Sequence, residues 1–223
     1  MASMAPKILA ISLNTQPWFD EMFAPLLTEL QTNSTFRNVQ TASAALQVLS
    51  EDPKPSAVLI TDEGLTLRAH KSVWEEVVKY VRQGGTAVIM GLYPAFVKPN
   101  NMKPFFSQAG LDWEAGSYHR TTLTLNQAVV GEGIAKKLPQ NYSQKAVFVK
   151  NVVPREMWYK SDDSSVIESR VFAPDSAHTP GETAVAMAEV GEGKLGYVGD
   201  VNAEEESTVV VLAMVGLLNE IAR

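Results

Sequence analysis

Three runs of consecutive apolar residues, ILAI at 8–11, AVLIT at 57–61 and TAVIM at 86–90, do most to limit what this chain can fold into. A strand with one face in water alternates apolar and polar residues, whereas a strand covered on both faces reads as an unbroken apolar run. Between the runs lie segments of helical period, as parallel neighbours require, because such strands are joined by crossovers of a dozen or more residues. The helix predicted over 18–31 follows Pro17 and carries Phe19, Met22, Phe23, Leu26, Leu27 and Leu30 at three- and four-residue spacing. A weak strand near 38–40 leads to a short helix through Ala45, Leu46 and Leu49, closed by Asp52-Pro53. The helix over 70–83 places Val73, Trp74, Val77, Val78 and Val81 on one face and stops at Gly84-Gly85. The pattern predicts an α/β fold: an open, mainly parallel twisted sheet with helices on both faces.

Beyond Pro94 the pattern changes. A Pro- and Asn-rich stretch at 97–104 precedes a short helix at 105–109, and strands are then expected at 121–125, 146–152, 157–160 and 166–172, the last two joined as a hairpin through 161–165. A second hairpin joins 184–190 to 195–198 through Gly191-Glu192-Gly193, and a helix over 203–222 closes the chain. No repeat or low-complexity linker divides the sequence, so a single domain is expected over 5–223, with 113–182 as a strand-rich extension within it. Residues 1–4 are left outside the fold.

Composition removes several function classes. Nineteen Lys and Arg against 25 Asp and Glu, net −6, give no basic footprint for a polyanion, so nucleic acid is not an expected partner. The absence of cysteine removes disulfides, thiolate metal sites and every cysteine nucleophile. The longest apolar run, at 209–218, is well short of the roughly 20 residues that span a bilayer, and no signal-peptide pattern opens the chain. A soluble, cytoplasmic protein with no membrane partner is the expectation. His70, His119 and His178 are spread along the sequence without the spacing of a helical zinc pair, and no metal or other cofactor is expected.

Two motifs have structural readings. GEGKLG at 191–196 matches the dinucleotide fingerprint letter for letter, but a strand follows it where the fingerprint needs a helix, so it reads as a hairpin turn. Asn202 followed by Glu205 reads as a helix cap, which leaves Asp200 at a strand end with no capping duty. Trp18 and Trp74 are expected in or near the core, and Trp113, Trp158, Tyr118 and Tyr159 in ordinary sheet packing.

Three stretches resemble the class I glutamine amidotransferase-like superfamily, in its non-glutaminase branch of ThuA-type domains: VKYVRQGG running into TAVIMG at 78–91, FFSQAGL at 105–111, and VGEGKLGYVGDVN at 190–202. The resemblance implies a flavodoxin-like arrangement. It also implies a turn, here Gly91-Leu92-Tyr93-Pro94, where glutaminase members carry their cysteine, and a late strand end, here 199–204, where they carry histidine and an acid. Neither the cysteine nor the histidine is present, so hydrolysis of glutamine through a thioester is excluded.

In open parallel sheets ligands gather outside the carboxyl ends of the strands. Those ends supply Asn14, Thr15, Asp62, Glu63, Gly91, Tyr93, Asp200 and Asn202 as candidate ligand-binding residues. Three readings stand. The chain is a catalytically inert relative that binds a small polar ligand or a protein partner there; or it is a hydrolase or isomerase using Asp62 and Asp200 as an acid–base pair, assisted by His119 or Tyr93; or it is a structural module that homodimerises through its strand-rich half.

Overall fold

The computed structural model describes residues 5–171 and 173–218. The three apolar runs become β1 (Lys7–Ile11), β3 (Ala57–Ile60) and β4 (Thr86–Ile89), with β2 (Thr35–Val39) at one edge of their sheet. A hairpin, β8 (Val185–Val190) and β9 (Gly193–Val198), completes six strands in the order β2-β1-β3-β4-β9-β8, all parallel except β8. Alternate residues feed two cores. Leu9, Ile11, Val58, Ile60, Ala87, Ile89 and Tyr197 face α3 (Ala42–Ser50), α4 (Lys71–Arg82) and α6 (Pro99–Ala109). Ile8, Ala10, Leu59, Val88, Met90 and Val198 face α1 (Phe19–Met22), α2 (Ala24–Asn33) and α9 (Glu205–Met214). This is the doubly covered sheet the apolar runs require.

Helix α4 shows what holds such elements. Valine is a mediocre helix former, costing up to about 0.7 kcal/mol relative to alanine. Val73, Val77, Val78 and Val81 are nonetheless buried on one face, each gaining roughly 1.5–3 kcal/mol by leaving water. Packing decides the element.

A second sheet, β6-β5-β7, is antiparallel and built from β5 (Glu114–Leu125), β6 (Asn141–Lys150) and β7 (Tyr159–Lys160), with the single-turn helices α5 (Tyr93–Phe96), α7 (Gln127–Val130) and α8 (Glu132–Ala135) in the connections. Backbone bonds tie it to the first sheet: the Val147 N–H donates to the Gly199 carbonyl at 2.9 Å, Val201 to Lys145 at 3.0 Å, and Trp158 to Val185 at 3.0 Å.

Several local expectations are corrected. The helix expected over 18–31 breaks at Phe23, because Pro25 has no N–H to continue α1 into α2. Trp18 is 48% exposed rather than in the core, and Tyr118 points outward beneath the Lys145 ammonium. Helix α6 starts at Pro99 and runs through Pro104, earlier than the 105–109 read from sequence. Strands β5 and β6 begin seven and five residues before their expected starts at 121 and 146. Only Tyr159 and Lys160 of 157–160 are strand, and they pair with β5. The hairpin through 161–165 is absent: 166–171 holds one isolated bridge, Val166 to Ser176, and Phe172 lies outside the described residues. Helix α9 ends at Met214, and 219–222 of the helix expected over 203–222 lie outside the described residues, as do residues 1–4.

Candidate functional site

The carboxyl ends of β1 and β3 are sewn together by side chains. Ser12 and Thr61 put their hydroxyl oxygens 2.6 Å apart, and Ser12 also donates to the Asn38 side chain at 2.9 Å. Asp62 then turns the chain. One carboxylate oxygen accepts the Asn14 N–H at 2.9 Å and the other the Gly64 N–H at 2.9 Å. Burial pushes the Asp62 carboxyl up, and these N–H groups partly offset it. Glu63 accepts from the Asn14 side-chain amide at 2.5 Å, so Asn14, Asp62 and Glu63 form one knot; Thr15, beside Asn14, buries its hydroxyl without a partner among the described residues.

The turn after β4 keeps a sharp strand-to-helix shape without a reactive side chain. Gly91 has φ +69°, and a Cβ there would lie 2.7 Å from the Thr61 carbonyl oxygen. The Leu92 N–H donates to that same carbonyl at 2.7 Å. Leu92 is buried in the core beneath α2 and α9, and Tyr93 in the opposite one. The Tyr93 ring packs against Phe105, Phe106 and Tyr197 at centroid distances of 5.4, 6.4 and 6.3 Å. Its hydroxyl is buried without a hydrogen-bond partner among the described residues, and burial holds its pKa well above the usual phenol value. Tyr93 therefore faces the interior.

Asp200, after β9, holds the turn that leads into α9 and does not cap the helix itself. Its two oxygens accept the N–H groups of Asn202 at 2.8 Å and Glu204 at 2.7 Å, ordering the approach to α9. The expected Asn202–Glu205 capping box does not form: Glu204 precedes the helix, and Asn202 is an exposed loop residue. Burial raises the Asp200 carboxyl, with the neighbouring Ser207 hydroxyl and the two N–H groups acting against it. Gly91, Asp200 and Ser207 line a shared cavity of about 10 Å³, which holds at most about one water molecule.

The remaining candidates do not converge. Strand β4 lies between β3 and β9, so the chain leaves for Asp62 and Asp200 two interstrand spacings apart, about 10 Å. Their hydrogen-bond partners are entirely different backbone groups. His119 belongs to β5 in the second sheet, where it stacks on Phe148 at 4.5 Å. Burial lowers its pKa, and the charge acting against that is Glu182, not Asp62 or Asp200. Among the described residues no group of three or more His, Cys, Asp or Glu side chains is placed to hold a metal ion.

The six-stranded sheet with its antiparallel edge and its flanking second sheet matches solved structures along almost the whole chain. A ThuA-like protein from Bacteroides uniformis superposes with a TM-score of 0.58 at 11% identity, over 95% of this chain and 90% of that one. The chain has the ThuA-like fold. A second ThuA-like protein, from Parabacteroides merdae, gives 0.55 at 13% identity, over 96% and 89%. The β-galactosidase from Bacillus circulans sp. alkalophilus gives 0.57 at 14% identity, and there 95% of this chain corresponds to 31% of the larger one. No family profile and no curated protein sequence matches. The flavodoxin-like arrangement implied by 78–91, 105–111 and 190–202 is thus the one present, and no helix among the described residues is long and apolar enough to cross a membrane.

Sequence reasoning passed over several rim residues. Ser12 directly follows one apolar run and Thr61 is the polar last residue of another, a signal that could have flagged them. Trp18 and Phe96, 48% and 41% exposed with rings 6.5 Å apart, come from the loops after β1 and β4 and had been read as core or left unread.

Proposed function

We propose that this chain is a non-catalytic amidotransferase-like domain whose role is binding, on the outer rim of the sheet's carboxyl edge rather than between the strands. The observation that carries the reading is how the strand-end groups are used: the Asp62 and Asp200 carboxylates are spent on backbone N–H groups, and Gly91 opens onto space for about one water. A general acid or base must reach its proton within about 3 Å or through one water, and the cavity beside Asp200 has space for about one water molecule. Asn14, Thr15, Glu63 and Asn202 remain the polar rim. Residual acid–base chemistry would need Asp62 and Asp200, which leave one sheet two strands apart, to act with His119 on the second sheet.

A protein partner is a second occupant of the same rim, favoured by the exposed Trp18–Phe96 pair, since aromatic side chains recur at the centres of interfaces. The test is a screen of the whole protein for small-molecule binding by thermal shift and for partners by pull-down, beside assays for hydrolysis and isomerisation. Binding without turnover is expected. Turnover that Asp62→Asn or Asp200→Asn abolishes in a folded protein overturns the reading.

A further inference from the structure

After β3 the chain makes a 3-10 turn at Glu63–Thr66 and a second at Arg68–His70 before entering α4, with α6 alongside. Between them is a groove of about 240 Å³ on the carboxyl side of the sheet. Its floor is the Trp74–Phe105 stack, ring centroids 3.9 Å apart and 15° from parallel, locked by the Trp74 indole N–H donating to the Phe105 carbonyl at 3.1 Å. Leu67, 41% exposed, and Pro104 form apolar walls. Its only charged lining residues are cationic, Arg68 and Lys71, in a chain of net charge −6. The Arg68 guanidinium has no ion pair or hydrogen bond among the described residues. Lys71 meets Glu75 at 3.4 Å with both side chains more than half exposed, a pair of the kind that contributes little and leaves the ammonium free to turn. The positive end of the α4 dipole lies at the same place.

A concave apolar floor with a few convergent polar groups is the usual form of a small-molecule site. At about 240 Å³ the groove has room for a single ring with one charged substituent. We infer that this groove binds a small organic carboxylate, its charge held by Arg68 and Lys71 and its apolar body laid against Leu67, Pro104 and the Trp74–Phe105 stack. The assignment rests on the reading that this edge of the sheet binds rather than reacts, and it names where and what.

The test titrates the full chain with benzoate, with neutral benzamide and with inorganic phosphate, followed by amide chemical shifts. Benzoate is expected to bind in the millimolar range and to move amides of residues 65–71 and 101–108, with benzamide and phosphate each at least tenfold weaker. Arg68→Ala with Lys71→Ala, both at exposed positions, should weaken benzoate at least tenfold while leaving the thermal midpoint in place. Leu67→Asp, which sets a like charge on the wall, should do the same. Benzamide or phosphate binding as well as benzoate, shifts confined elsewhere, indifference to both variants, or no response to benzoate at all overturns the assignment. If benzoate fails and nothing is turned over, this assignment falls alone; turnover dependent on Asp62 or Asp200 overturns the non-catalytic reading instead.

Discussion

Asp62 and Asp200 each hold two backbone N–H groups at under 3 Å while burial raises their pKa, so two opposed effects meet in one side chain. Burial wins in both. A carboxyl whose folded pKa stands above the unfolded value near 3.9 keeps its proton longer in the folded protein, so between those two values folding is favoured by acid. The contribution of such a group is most favourable below about pH 4, declines as pH rises through the folded pKa, and is constant above it. Asp62→Asn removes this titration at the cost of one acceptor, a pH-independent loss. Urea denaturation of both proteins from about pH 3 to pH 8 should therefore show wild type losing stability relative to the variant as pH rises from about 4. The opposite slope would mean that the N–H bonds outweigh burial. Tyr93 gives a second prediction at this scale. Its hydroxyl is buried with no partner among the described residues, and an unsatisfied buried donor costs about 1–3 kcal/mol, so Tyr93→Phe should leave stability unchanged or raise it by about 1 kcal/mol in equilibrium unfolding. Marked destabilisation would show that the hydroxyl has a partner after all.

At the scale of elements, the GEGKLG segment is a packing device. Gly191, at φ +64°, turns β8 into β9, and a Cβ on Gly193 would stand 2.1 Å from the carbonyl oxygens of both Gly85 and Val81. The turn rests on the end of α4: Glu192 N–H donates to the Arg82 carbonyl at 3.1 Å and Lys194 N–H to that of Gly85 at 3.0 Å. Gly193→Ala must displace backbone on two elements and should cost about 3 kcal/mol or more, read from the urea midpoint. A loss below about 1 kcal/mol would mean that the hairpin is not seated there. This element was legible in sequence, because Gly-x-Gly between two strand-like runs is a local signal, as were β1, β3, β4 and α4, whose apolar patterns lie within a dozen residues. The Asp200 turn was not legible, since its acceptors meet N–H groups two and four residues on only once Ala203 takes φ +54°, an uncommon conformation for a residue other than glycine. The Trp18 exposure was equally hidden: a helical pattern says which residues share a face, and the Phe23 break after it changes that face.

At the scale of the whole molecule, what no local pattern carries is the joining of the two sheets, made by bonds between residues about 25 to 60 positions apart. Gly199 is the tightest point: a Cβ there would lie 2.1 Å from the Val147 carbonyl oxygen, and Gly199 itself accepts the Val147 N–H and donates to the Ala184 carbonyl. Val149 and Thr183 exchange a pair of backbone bonds at 2.9 and 3.0 Å alongside. The inner face of β6 also shares one apolar cluster with the sheet, Ala146 and Phe148 packing with Met90, Val185 and Val198. Losing either sheet would strip the other of buried area and leave backbone groups unpaired, each costing about 1–3 kcal/mol. Both sheets should therefore unfold together. Far-ultraviolet circular dichroism, which reports all the helices and strands, and fluorescence of Trp158, in the other three tryptophans' replacement background, should trace one coincident urea transition. In Gly199→Ala that transition should move to lower urea as one, because the strain sits in the junction both sheets share. Two separated transitions, in wild type or in the variant, would show instead that the six-stranded sheet stands without its three-stranded neighbour.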